Sequence, residues 1–117
     1  MNIEKIKEHY EHAKAKHPYF CDSLLPEGRS LASLESDIEN NLDTARNDIE
    51  TAERNGHLIP QVLLNCEVWE INEAILNEDT AAAVEECYDA IAVLLRVVDV
   101  LEGRQALGDP AKKGEVK

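Results

Sequence analysis

Apolar positions recur every three or four residues through four stretches of the chain, a period that predicts four helices. The first, over residues 2–16, carries Ile3, Ile6, Tyr10 and Ala13 and stops at His17-Pro18, because a residue before proline is pushed out of the α region. The second, over 30–55, has a narrow seam of Leu31, Leu34, Ile38, Leu42, Ala45, Ile49 and Ala52, so one face packs and the other meets water. Ser30 is placed to cap its start and Asn55-Gly56 to end it. The third begins between Leu58 and Pro60, where proline is tolerated in the first turn. It runs to Asn77, with Ile59, Val62, Leu63, Cys66, Trp69 or Glu70, and Ile75 at core spacing.

A four-residue polar turn, 77–80, leads into the fourth helix, with Asp79 or Thr80 as its cap. This helix, 81–102, is expected to end at Gly103. It carries two apolar stripes, one of Val84, Cys87, Tyr88, Ile91, Leu94, Leu95, Val98 and Leu101, the other of Ala90, Val93, Val97 and Val100. A helix apolar around most of its circumference cannot face water. It is expected to be central in a bundle, covered by a second subunit, or both, and oligomerisation is the expected cover in so small a chain. The loop HPYFCDSLLPEG is expected to pin Tyr19, Phe20, Leu24 and Leu25 over one end of the bundle. Residues 1–104 then form one all-α, four-helix bundle-like domain, and 105–117 a loosely ordered tail.

Composition agrees: 44% hydrophobic residues but only 4% aromatic ones, with 5 Gly and 4 Pro, suit helices built on Leu, Ile, Val and Ala. The net charge of -12 excludes a basic face for direct nucleic-acid binding and disfavours an anionic membrane surface. No apolar run approaches the roughly 20 residues that span a bilayer. Cys21, Cys66 and Cys87 have no zinc spacing and cannot all pair, which suits a reducing cytoplasm. The first residues, MNIEKIKEHYEHAKAK, lack the apolar core of a signal peptide. His9, His12 and His17 read as surface histidines, and Arg29, Arg46 and Arg54 as partners for surface carboxylates.

The chemistry concentrates between Cys66 and Asp99. Glu67 and Glu70 lie three apart on the third helix, and Glu86 and Asp89 three apart on the fourth, so each pair can converge on one point. Glu67 lies about ten residues before the turn and Asp89 about ten after it, which puts the pairs at matching levels of an antiparallel hairpin. Clustered carboxylates repel and take up protons unless a cation joins them. All-oxygen ligation selects a hard ion, Mg²⁺ first and Mn²⁺ second. Such an ion suits hydrolysis of a phosphoanhydride. Glu73 or Glu85 could orient the attacking water, Glu85 being also a favourable charge near a helix N-terminus.

The pattern C-E-V-W-E-I-N-E-A followed by E-E-C-Y-D-A-I-A-V-L-L-R resembles the MazG-like, all-α nucleoside triphosphate pyrophosphohydrolases, which include dimeric dUTPases and dCTP pyrophosphatases. Their pattern is commonly E-E-V-G-E-L-x-E-A, then E-E-L-x-D-V-L-x-Y-L-L. The resemblance covers residues 66–99 and implies a MazG-like fold, a homodimer or homotetramer, and Mg²⁺ held by Glu67, Glu70, Glu86 and Asp89. It also implies cleavage of a (deoxy)nucleoside triphosphate to monophosphate and pyrophosphate, with Glu70 among the catalytic groups. Cys66 stands where the family often has its first glutamate, and Trp69 replaces a small residue. Trp69 suits core packing or stacking on a base. The Lys/Asn phosphate-contacting motif has no clean equivalent; Arg96, Arg104, Lys112 and Lys113 are the cations left to meet phosphates. The alternatives are a catalytically weak or inactive relative acting as an oligomeric binding or structural module, and an acidic module that occupies a basic partner surface.

Overall fold

A computed structural model of the chain describes residues 2–21 and 23–108. They form α1 (Ile3–Lys16), α2 (Leu31–Arg54), α3 (Pro60–Leu76) and α4 (Thr80–Ala106), with no strand among the described residues. The boundaries follow local chemistry. Asn2 caps α1 by accepting from the Lys5 amide at 3.1 Å, and the Ser30 hydroxyl accepts from the Ser33 amide at 3.1 Å. Gly56, with φ of +67°, supplies the left-handed residue that ends α2, and Pro60 opens α3. Between α3 and α4, Glu78 takes φ of +57° and Asp79 accepts from the Ala82 amide at 3.0 Å. A non-glycine residue there costs about 1 kcal/mol, and it makes the reversal tight enough for α4 to return along α3.

The core lies along α3, which packs against α2 on one side and α4 on the other. Leu34, Ile38, Leu42 and Ala45 enter it from α2, Cys66 and Ala74 from α3. The seam expected on α2 is therefore the packed one. Two expectations change. Of the covers expected for α4, the central place in the bundle goes to α3 instead, and α4 contributes no fully buried residue. The bundle core also has three helices rather than four: α1 buries nothing, and Ile3, Ile6 and Tyr10 are all exposed. Four apolar residues on a short, charged helix offer too little area to hold it against the others. The radius of gyration, 17.6 Å against about 13 Å for a compact domain of this length, reflects the extended arrangement.

Of the two stripes on α4, the one containing Ala90, Val93 and Val97 is half-buried, whereas Val84, Tyr88, Ile91, Leu94, Val98 and Leu101 are exposed. The loop before α2 also departs from expectation. Tyr19 and Phe20 are 91% and 78% exposed and cap nothing, lying beside Tyr10, Ala13 and His17 at the end of α1. The loop satisfies itself locally, with the Ser23 hydroxyl donating to the Leu25 carbonyl and Leu24 in the left-handed region, so only Leu25 turns partly inward.

At the other end, α4 does not stop at Gly103; it continues to Ala106 and closes with Gly108 at φ of +83°. Gln105 and Ala106 are thus helical, and the rest of the expected tail, 109–117, lies outside the described residues. A methyl group at Gly103 would meet no atom within 4 Å. Gly103→Ala is therefore expected to stabilise the fold by about 0.5–1 kcal/mol, read as a rise in the urea midpoint at unchanged m-value. No helix of the described residues is long and apolar enough to cross a membrane.

Candidate metal centre

The tight reversal between α3 and α4 brings Glu86 against the Glu67–Glu70 side of α3. One carboxylate oxygen from each of Glu67, Glu70 and Glu86 lies within 4.8 Å of the other two. All three side chains are half-buried. Oε2 of Glu67 is fully buried and accepts no hydrogen bond. An anionic oxygen withdrawn from water without a partner is costly, so a proton or a positive group beside it would be stabilising.

The electrostatics point the same way. Burial pushes the Glu86 carboxyl up to about 7, with the neighbouring charge of Glu70 and hydrogen bonding to Glu70 and Glu67 adding to the rise. Glu67 is raised first by burial and then by the charges of Glu70 and Asp89, although Glu86 donating to it works in the other direction. Three carboxylates this close cannot all be ionised without help; they share protons or share a cation.

Cys66 completes the arrangement. It is buried one residue before Glu67, and its thiol donates to Oε1 of Glu70 at 3.0 Å. Burial, then the hydrogen bond and charge of Glu70, push the thiol up to about 12. It is a neutral donor that orients Glu70. The Arg46 guanidinium on α2 is close enough to oppose that rise. This places a cation of α2 near the site, although the sequence alone gave Arg46 only a surface role. The Cys66–Glu70 contact carried a readable signal, since the two are four apart on one helix; Arg46 carried none, because its approach depends on how α2 packs on α3.

The other expected residues are less concentrated. Asp89 lies one turn beyond Glu86, exposed, and near enough to raise Glu67, but outside the triad. Glu73 is half-buried one turn beyond Glu70, and Glu85 is exposed beside Glu86. Trp69 is half-buried on α3, and Arg96 is exposed nearly three turns along α4 from Glu86. Lys112 and Lys113 lie outside the described residues. An octahedral Mg²⁺ with oxygens at about 2.1 Å needs ligand oxygens about 3 Å apart when adjacent and about 4.2 Å when opposite. The triad oxygens, within 4.8 Å of one another, would close by up to about 2 Å to take such an ion, and their all-oxygen donors suit it.

No protein-family model, curated protein or solved structure matches this chain.

Proposed function

We propose that the chain is a Mg²⁺-dependent hydrolase of the MazG-like kind, cleaving a (deoxy)nucleoside triphosphate to its monophosphate and pyrophosphate as a homodimer or homotetramer. The observation that carries this is the convergence of Glu67, Glu70 and Glu86 around a buried carboxylate oxygen that lacks a partner. Glu67, Glu70 and Glu86 would hold the ion, with Asp89 the fourth carboxylate in reach of an exposed edge. Bound there, Mg²⁺ (or Mn²⁺) would screen the phosphate charge and lower the pKa of a coordinated water. The reaction adds water across the α–β phosphoanhydride, the α-phosphorus gaining a P–O bond as pyrophosphate leaves. Glu73 and Glu85 flank the triad and are the bases available to take the proton of that water. Cys66 holds Glu70 in orientation by donating to it, and Arg46 sets a positive charge behind it.

Trp69 could present its partly open ring to a base, and Arg96 its guanidinium to phosphate; both assignments belong to this reading. One observation favours the alternative of a weak or inactive relative serving as a binding module: Cys66, a neutral thiol, stands where the resemblance leads one to expect a further carboxylate.

The test is twofold. Thermal unfolding with and without millimolar Mg²⁺ or Mn²⁺ is expected to show a concentration-dependent rise in Tm. A panel of NTPs and dNTPs with Mg²⁺, assayed for pyrophosphate, is expected to identify at least one substrate. A metal response without pyrophosphate release from any nucleotide would favour the binding module. No response to either metal at 10 mM, on the order of ten thousand times a micromolar affinity, would remove the metal reading.

A further inference from the structure

The exposed face of α4 has a definite internal order. Val84, Ile91 and Val98 are seven apart, as are Cys87, Leu94 and Leu101, so six layers follow one another at spacings of 3, 4, 3, 4 and 3. These are the a and d positions of a heptad seam, the pattern with which one helix packs on another along its length. Yet Val84 is 46%, Ile91 48%, Leu94 50%, Val98 39% and Leu101 48% exposed, so no helix of the same chain fully covers the seam. The order of spacings reads the same in both directions. The seam is therefore complementary to its own reverse, as an isologous two-fold interface requires.

Charge chooses the direction. The first half of α4 carries Glu85, Glu86 and Asp89 and no Lys or Arg; the second half balances Asp99 and Glu102 with Arg96 and Arg104. Parallel pairing would set two acidic halves side by side, whereas antiparallel pairing sets each against a neutral half. A cleft of about 580 Å³ between α1 and the end of α4 strengthens the argument. Its apolar wall includes Ile6, Val98 and Leu101, and its charged lining is Lys5 and Arg104 against one carboxylate, Glu102, with His9 beside them. That is a receptor for an acidic, apolar helix end such as the one bearing Val84, Glu85 and Tyr88.

We propose that two copies of this chain pair antiparallel through α4, Val84 opposite Leu101, Cys87 opposite Val98 and Ile91 opposite Leu94, with the acidic end of each α4 against the α1–α4 cleft of the other. The inference rests on the reading that the chain self-associates and deepens it by naming the face, direction and register. Full burial of the exposed parts of the seam side chains would remove on the order of 500 Å² per copy, about 1,000 Å² in all, the size at which a specific interface begins. The pairing brings Arg104 of one copy within about one helical turn of the level of Glu85 in the other. It thereby sets a cation near the rim of an acidic site whose own helix, α3, has no Lys or Arg.

Sedimentation and cross-linking of the full chain test this without metal or nucleotide, independently of the carboxylate site. In a Cys21→Ser background, V98C treated with a short bis-maleimide is expected to give a covalent dimer through Cys87 of the other copy. Cys21→Ser alone should give none, because Cys87 then faces Val98. Leu94→Glu, at an exposed position, should retain its helical circular dichroism and sediment as a monomer where the parent is a dimer. A monomeric parent at 100 µM would overturn the proposal, as would a dimer cross-linked through Cys87 alone, which means parallel pairing. A dimer that neither V98C nor Cys87 can cross-link would place the interface on another face and overturn it equally.

Discussion

Glu70→Gln is expected to remove the Mg²⁺-dependent rise in Tm and to lower nucleotide hydrolysis at least about 100-fold, the upper range for disturbing even a supporting residue of a metal site. Glu70 meets every other member of the site: it accepts from the Cys66 thiol, it lies within 4.8 Å of both Glu67 and Glu86 at the cluster oxygens, and its charge raises both of them. Glutamine keeps the shape and can still accept from the thiol through its amide oxygen. It removes one negative charge and a ligand oxygen of full strength. The metal-free variant should therefore fold at least as well as the parent, because three mutually repelling groups become two. Loss of metal response with stability retained is an outcome that simple unfolding cannot mimic. Glu39→Gln, on the exposed face of α2, should leave both properties unchanged. Retention of the Mg²⁺ response in Glu70→Gln would place the ion elsewhere.

What the sequence made legible divides along a physical line. The caps at Ser30, Asn55-Gly56, Pro60 and Asp79 were readable because each depends on a few adjacent residues. The end of α4 was not, because a helical glycine costs only about 1 kcal/mol and a long helix absorbs it. Periodicity announced α1 and both stripes of α4 as helical faces, but period does not say what covers a face. Hence α1 stands outside the core and the stronger stripe of α4 faces solvent. At the site, the spacing of three brought Glu67 and Glu70 together, and the short turn brought Glu86 to them. The same reasoning placed Asp89 with them; it is exposed and near enough to raise Glu67, but it is not among the three whose oxygens lie within 4.8 Å of one another, because adjacent turns of a helix share a side but differ in level. The environment of Cys66 was partly legible and that of Arg46 not at all, since one rests on an i,i+4 spacing and the other on the packing of α2.

Without divalent metal, the protein should be more stable at pH 5.5 than at pH 8, the reverse of a domain whose carboxylates are paired with cations. Glu86 is raised to about 7 and Glu67 is raised as well, so between the unfolded carboxylate value near 4.3 and pH 7 the folded state binds more protons than the unfolded chain. Stability linked to these groups is fully present below the unfolded value and is lost as pH climbs through the folded one. Discounted for the solvent screening of a half-buried Glu86, the loss should be about 1 kcal/mol, or a few degrees in Tm for a domain of this size. Cys66, raised to about 12, stays protonated in the folded state and adds only about 0.2 kcal/mol to the loss, near pH 8, where the unfolded thiol begins to ionise. Saturating Mg²⁺ should flatten or invert the profile, because the ion takes the place of the shared proton and binds better as that proton leaves. Glu86→Gln should flatten the metal-free profile by carrying permanently the neutral state that the parent reaches only in acid. It should also give up most of the gain from Mg²⁺ at pH 8. Thermal unfolding at half-unit pH steps, with EDTA and with 10 mM Mg²⁺, measures all three curves. A metal-free parent whose Tm stayed level from pH 5.5 to 8 would mean that Glu67, Glu70 and Glu86 stand apart in water, and neither proton nor ion would then be needed to hold them together.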